Sequence, residues 1–309
     1  MKLGLIFFAV PAVIAFVAGG CSSSSSSSGD TDTDAGSGGG SDGSTGGGDS
    51  GGGNGDATQA CSDAASAFCN QVQTCSAFGM QATYGDVATC KTRFALGCMQ
   101  TLSFPGTSAT PATTETCATA LPGISCDDFI GQNLGSACGT KAGTLANGAA
   151  CGDDAQCVST FCARASDSQC GTCSDPSTVS GPCTNGSCST GLTCESSKCV
   201  KPVAGQIGDA CQSQAECDLA HAVGCNTNNN QCLKLEISSD GSCGADSISP
   251  SKFTICPANG TCDSLLGGNC HAAAADGASC STGTSGPSCL SPAKCVSGKC
   301  TLPDATACH

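Results

Sequence analysis

The chain has no tryptophan, one tyrosine (Tyr84), three histidines and eleven basic residues among its 309. So few large aromatics leave little from which to build a wide apolar core, and chains in that position are commonly stapled by disulfides. Eleven lysines and arginines against 25 acidic residues, for a net charge of −14, lack the basic footprint that nucleic acid requires. The same shortage removes any polybasic patch for anionic lipid. His221, His271 and His309 are the only imidazoles, and no G-x-S-x-G, H-E-x-x-H, Walker or dinucleotide fingerprint occurs. No base is therefore placed beside a nucleophile, and no catalytic residue, metal ligand or cofactor is expected. Beyond residue 20 no apolar run approaches the roughly 20 residues needed to cross a bilayer.

What the chain does have is cysteine, 31 residues of it, near the level at which a sequence reads as a disulfide scaffold. One of them stands apart. Lys2 is followed by an apolar run from Leu3 to Ala18, interrupted at Pro11, and Val17-Ala18-Gly19-Gly20-Cys21 closes it with small residues. A basic start, an apolar centre and a small-residue end are the pattern of a secretory signal, assigned here to residues 1–20. The placement of Cys21 resembles the lipobox of bacterial lipoproteins. That resemblance implies cleavage before Cys21, acylation of its thiol, and a lipid bilayer as partner. More than one acyl chain is implied too, as stable anchoring needs. It further implies an extracytoplasmic location at the outer membrane or surface of a Gram-negative bacterium. After Cys21, through residue 57, the sequence is almost entirely Ser, Gly, Asp and Thr, a composition that gives a flexible coil. Such a tether would span about 30–36 Å on average.

Without Cys21, thirty cysteines remain, an even number that suits up to fifteen disulfides. In residues 58–140 they fall at helical spacings. Cys61, Ala65, Phe68, Cys69, Val72 and Cys75 share one face of a first helix. A second helix begins at the N-cap Asp86 and carries Val87, Cys90, Phe94 and Cys98 on one side. A third has Thr110 as cap with Pro111 in its first turn, stopping at Pro122-Gly123, and a short fourth starts at Ser125. Cys61 and Cys69 are as far apart as Cys90 and Cys98, about 12 Å along each helix. In an antiparallel pair Cys61 lies level with Cys98 when Cys69 lies level with Cys90, which predicts those two bridges. Cys75, Cys117, Cys126 and Cys138 are left to close the rest of the module, with partners open.

Residues 141–309 are turn-rich and repetitive. A glycine two or three residues before a cysteine, followed by three or four more cysteines, recurs about every 30 residues. The units are Cys151, Cys157, Cys162, Cys170 and Cys173; Cys183, Cys188, Cys194 and Cys199; Cys211, Cys217, Cys225 and Cys232; Cys243, Cys256, Cys262 and Cys270; and Cys280, Cys289, Cys295, Cys300 and Cys308. Their opening glycines are Gly148, Gly181, Gly208, Gly241 and Gly277, and Asn147, Asn185 and Asn259 precede glycines as turn signals. The C-x-x-C at Cys170–Cys173 lacks the thioredoxin-like surroundings of a redox motif, so structural disulfides are expected there. The expected fold class is small disulfide-rich modules: a helical cysteine-bridged domain, then five irregular or β-hairpin cysteine-rich repeats.

The spacing Cys151-x5-Cys157-x4-Cys162-x7-Cys170-x2-Cys173, continued through Cys199, resembles the Dickkopf N-terminal cysteine-rich domain over residues 151–199. The chain lacks that family's adjacent cysteine pair. The order of parts (lipobox, Ser/Gly tether, helical cysteine module, repeats) is similar to myxobacterial surface lipoproteins. The first resemblance implies disulfide architecture alone; anchor, tether and repeats together point to a membrane-anchored, non-catalytic protein that displays its modules to an unknown protein or surface polymer. A tethered protease inhibitor is the alternative reading, and an enzyme of unrecognised class a third.

Overall fold

The computed structural model describes residues 56–165, 168–184, 188–189, 191–226, 229–245, 252–264, 266–281, 286–304 and 306–308. The signal segment, Cys21, nearly all of the tether, Asn185 and His309 lie outside them. All thirty cysteines from Cys61 onward are within them and form fifteen disulfides.

The helical part contains α1 (Ala57–Cys75), α2 (Ala77–Thr83), α3 (Val87–Ser103), α4 (Pro111–Ala120), α5 (Cys126–Ile130) and α6 (Gly135–Cys138). Each cap read from the sequence is made. Asp86 accepts the N–H of Thr89, Thr110 accepts that of Thr113 in a reciprocal capping box, and Ser125 accepts that of Asp128. The α1 cap is Asp56, one turn-start earlier than the tether boundary suggests, accepting the N–H of Thr58. Phe68, only 1 % exposed, sits at the centre of the core, with Phe94 stacked at 4.8 Å and Phe129 at 5.6 Å. Around them lie Ala64, Ala65, Val72, Met80, Tyr84 and Leu121. The aromatic poverty of the chain is thus met by concentrating three phenylalanines at one point and bridging the periphery. Four disulfides do that: Cys61–Cys98, Cys69–Cys90, Cys75–Cys126 and Cys117–Cys138. The first two join α1 to α3 in the pairing that equal spacing places level.

Two short helices have no counterpart in the sequence reading. α6 is a single turn. α2 follows α1 almost without a break, because Ser76 ends one helix and caps the next. Its hydroxyl accepts the N–H of Gly79 at 3.0 Å and donates to the carbonyl of Ala220 at 2.7 Å.

The remainder is five small units with one architecture. Repeat 1 holds β1 (Ala150–Cys151), β2 (Cys162–Arg164) and β3 (Gly171–Cys173); repeat 2 holds β4 (Thr193–Glu195) and β5 (Lys198–Val200). Repeat 3 holds β6 (Val223–Asn226) and β7 (Gln231–Ile237); repeat 4 holds β8 (Ser242–Ala245), β9 (Lys252–Ile255), β10 (Thr261–Cys262) and β11 (Gly268–His271); repeat 5 holds β12 (Lys294–Val296) and β13 (Lys299–Thr301). In every unit an antiparallel hairpin sets two cysteines opposite each other: Cys162 and Cys173, Cys194 and Cys199, Cys225 and Cys232, Cys262 and Cys270, Cys295 and Cys300. These facing cysteines are never bonded to each other. One bonds back to the first cysteine of its unit and the other to the second. The bridges are Cys151–Cys162 with Cys157–Cys173, Cys183–Cys194 with Cys188–Cys199, and Cys211–Cys225 with Cys217–Cys232. Cys243–Cys262 with Cys256–Cys270, and Cys280–Cys295 with Cys289–Cys300, complete the set.

The opening glycine has a matching role. Gly148, at φ 90°, donates its N–H to the carbonyl of Cys173, and Gly208 and Gly277 donate likewise to Cys232 and Cys300. Only a residue at home with positive φ fits such a turn. Repeats 2 and 4 depart from the pattern: Ser180, at φ 67°, takes the left-handed place and donates to the carbonyl of Cys199, whose N–H Gly181 accepts, and in repeat 4 Gly241 accepts the N–H of Cys270.

Two cysteines lie outside this scheme, one in the first unit and one in the last. They bond to each other. Cys170–Cys308 spans 138 residues and ties repeat 5 to repeat 1, beside a hydrogen bond from Lys294 to the carbonyl of Ser168.

Every repeat also touches the helical part or the turns between its helices. Gly152 of repeat 1 lies so close under the ring of Phe104 that a Cβ there would sit 2.4 Å from it. The N–H of Gly191 in repeat 2 bonds Gln132 at 2.7 Å. Repeat 3 receives the Ser76 hydroxyl and, with repeat 4, packs Leu233, Leu235 and Ile255 on Ala82 and Phe78 of α2. Ala258 and Asn259 of repeat 4 donate to the carbonyls of Gln81 and Ala82, satisfying the end of that helix. Arg93 of α3 reaches repeat 5 with four hydrogen bonds, two to Asp276 and one each to the carbonyls of Ser291 and Leu290.

Candidate functional site

The residues scanned for chemistry in the sequence are not brought together. His221 pairs with Asp218 at 2.7 Å within one turn, and His271 pairs with Asp263 at 3.4 Å, both on the surface and in different repeats. Cys170 and Cys173 of the C-x-x-C are bonded to Cys308 and Cys157, so the motif is no dithiol centre in this structure. Five trios of sulfurs lie within 4.8 Å of one another, one trio in each repeat, as in Cys151, Cys157 and Cys173. They mark the two bridges of a repeat stacked together, and every sulfur in them is already bonded to another. Asp127 and Asp128 occupy the first turn of α5, where hydrogen bonds from Ser125 and Asn133 hold the Asp128 carboxyl below its ordinary range.

One place does combine shape with unusual electrostatics, and it lies where the helices meet repeat 1. A cleft of about 140 Å³ runs between α3, α4, α6 and the start of repeat 1. Its walls are largely apolar and include Phe94, Leu102, Leu121, Leu134, Ala109 and Ala155, with the Cys117–Cys138 bridge. Thr101 and Asp153 line it as well, and their side chains bond to each other at 3.3 Å.

Asp153 is the residue that sequence reasoning passed over. It caps the single turn Asp154–Gln156, accepting the N–H of Ala155 at 2.9 Å, while Gln156 accepts the N–H of Asp153 in return. Gln156 also donates to the carbonyl of Pro105 at 2.8 Å, which pins this turn to the end of α3. The result is a carboxyl only 1 % exposed. Burial pushes its pKa up to about 7, with Arg164 opposing and the neighbouring Asp154 reinforcing the rise. Burial also raises Asp154, which accepts the N–H of Cys162 at 2.7 Å and is faced by Arg164 and Lys294. Arg164 is therefore shared between two carboxyls. A capping pattern was visible in Cys151-Gly152-Asp153-Asp154-Ala155-Gln156, an Asp three residues before a Gln. Its burial was not, because it depends on α3 folding over it.

Elsewhere in the core, burial pushes the Tyr84 phenol up to about 12, so it serves as an apolar filler with a silent hydroxyl. The chain matches no known protein-family profile, no curated protein and no solved structure.

Proposed function

We propose that the protein is a membrane-tethered, non-catalytic surface lipoprotein that displays a rigid disulfide-locked body to a protein or surface polymer. The observation that carries this reading is the closed arrangement of the repeats: five units of one connectivity, each docked on the helices, the last bonded to the first. Such a body is built to hold its surface in one shape outside the cytoplasm, where disulfides persist. Cys21 and the following Ser/Gly stretch supply the anchor and the reach. The two histidine–carboxylate pairs are separate and exposed, which favours display over catalysis.

The test is metabolic labelling with an alkyne fatty acid, combined with protease shaving of intact cells. The wild-type chain should take up label and be cut at the tether, while Cys21→Ser should take up none. Equal labelling of both chains, or protection of the wild type from added protease, would overturn the proposal.

A further inference from the structure

The cleft beside Asp153 is of a size and polarity that suit a ligand. A cavity of about 150 Å³ with apolar walls accommodates benzene, and this one, at 140 Å³, is nearly as large and opens to solvent. Its polar features are few and clustered. Thr101 and Asp153 meet in the lining, and Thr140, which also borders the cleft, has a buried hydroxyl with no hydrogen-bond partner among the described residues. Sites for small molecules are commonly of this kind, a mainly apolar wall with one or two placed polar groups.

The hydrogen bonding of Asp153 shows which polar group fits. A carboxylate offers about four lone-pair positions. Here one oxygen takes the N–H of Ala155, the capping box brings the Gln156 backbone N–H to the same side chain, and the second oxygen has the long bond from Thr101 at 3.3 Å. Acceptor capacity is left over on a group removed from water. The charges nearby are Asp154, Arg164 and, facing Asp154, Lys294; Lys141 lines the cleft with an exposed side chain. Arg164 acts on both carboxyls and donates to the carbonyl of Gly152, so the acceptor positions still open on Asp153 are left for a donor arriving from the cleft. An anion offers them none.

We propose that this cleft binds a small apolar primary amine, its ammonium on Asp153 and Thr101 and its benzene-sized body against Phe94, Leu102 and Leu121. The inference stands apart from how the chain is anchored, so the failure of one leaves the other in place. Ammonium binding and protonation compete for Asp153, whose carboxyl titrates near neutrality. Affinity for an amine should therefore rise from pH 5 to pH 8, a range in which an alkyl ammonium keeps its proton.

Benzylamine serves as the probe, with toluene and benzoate for comparison, titrated into the purified oxidised full chain and followed by calorimetry and ligand-observed NMR. Saturable one-site binding of benzylamine is expected, stronger than that of toluene, with benzoate silent. Asp153→Asn should weaken benzylamine at least tenfold and abolish the pH dependence while leaving toluene within about threefold. Ala109→Leu, which narrows the cleft without touching the Asp153 carboxyl's hydrogen bonds, should weaken benzylamine and toluene together. A full complement of fifteen bridges by mass spectrometry shows that each variant is folded. No saturable benzylamine binding by wild type, or binding unchanged in both folded variants, overturns the proposal.

Discussion

Replacing Cys170 and Cys308 together by alanine opens the one bridge among the fifteen that joins two repeats, and the structure sets the size of the effect. A cross-link stabilises chiefly by restricting the unfolded chain, to an extent that grows with the logarithm of the loop it closes. For the 138 residues between these cysteines the chain-entropy relation gives about 5 kcal/mol at 25 °C. The bridges within repeats 2 to 5 shorten the covalent path around that loop. Each halving removes only about 0.6 kcal/mol, so about 4 kcal/mol should remain. The Cα atoms are 5.3 Å apart, inside the ordinary range for a disulfide, so no native distortion offsets the gain. The double variant is preferable to either single one, which would leave a free thiol close to other bridges. Guanidinium unfolding without reductant, followed by far-ultraviolet circular dichroism, should show a midpoint lower by on the order of 1 M. Peptide mapping should find the paired bridges of each repeat unchanged. A midpoint within about 0.2 M of wild type would refute the reasoning. It would mean that Arg93 and Lys294 alone hold repeat 5 in place, and that the unfolded chain gains nothing from the open loop.

Two further predictions concern the junctions between helices and repeats. The Asp153 carboxyl binds its proton more tightly in the folded chain than in the unfolded one, since its pKa rises from 3.8 to about 7. Its stabilising contribution is thus fully present below pH 4 and lost as pH rises through 7, by up to about 4 kcal/mol. Asp153→Asn should flatten the fall in stability between pH 4 and pH 8, with the residual slope due to Asp154; parallel wild-type and variant curves from denaturation at stepped pH would contradict this. Arg93→Ala should cost about 2–4 kcal/mol by stranding Asp276 and two carbonyls, and Arg93→Lys should not restore it because a lysine cannot supply the forked geometry. Hydrogen exchange in β12 and β13 reads the effect locally, and unaltered protection in Arg93→Ala would show that repeat 5 docks by other means.

How much of this body is legible in the residues follows from the range over which each interaction acts. Cys61, Cys69, Cys90 and Cys98 carry their pairing in plain view because two regular helices convert sequence spacing directly into distance. The caps at Asp86, Thr110 and Ser125 are equally local, each settled within three residues. α2 escaped because Ala77–Thr83 is only seven residues long, with Gly79 inside it, and is held by Ser76 and by the β7 and β9 surface rather than by its own periodicity. The docking of Arg93 on Asp276, 183 residues away, has no local signature at all. Asp153 shows the same limit at a shorter range: its capping box is written in its own hexapeptide, and its pKa is written in α3.

The clasp occupies a middle ground, and it shows what counting can do where spacing fails. A repeat of four cysteines can close on itself; a repeat of five cannot. With four-cysteine units between them, the two odd units at the ends must each export one thiol, and the export is complementary. Once the eight helical cysteines pair among themselves, parity joins the first repeat to the last. Geometry then selects which cysteine leaves. In repeat 1 the hairpin faces Cys162 with Cys173, as Cys194 faces Cys199 in repeat 2, so Cys170 has no place in the common scheme. In repeat 5 the corresponding hairpin uses Cys295 and Cys300, which leaves Cys308. The closure of the whole body therefore depends on two residues that the repeat does not need. Deleting both should leave five well-formed repeats, with the fifth no longer bonded to the first.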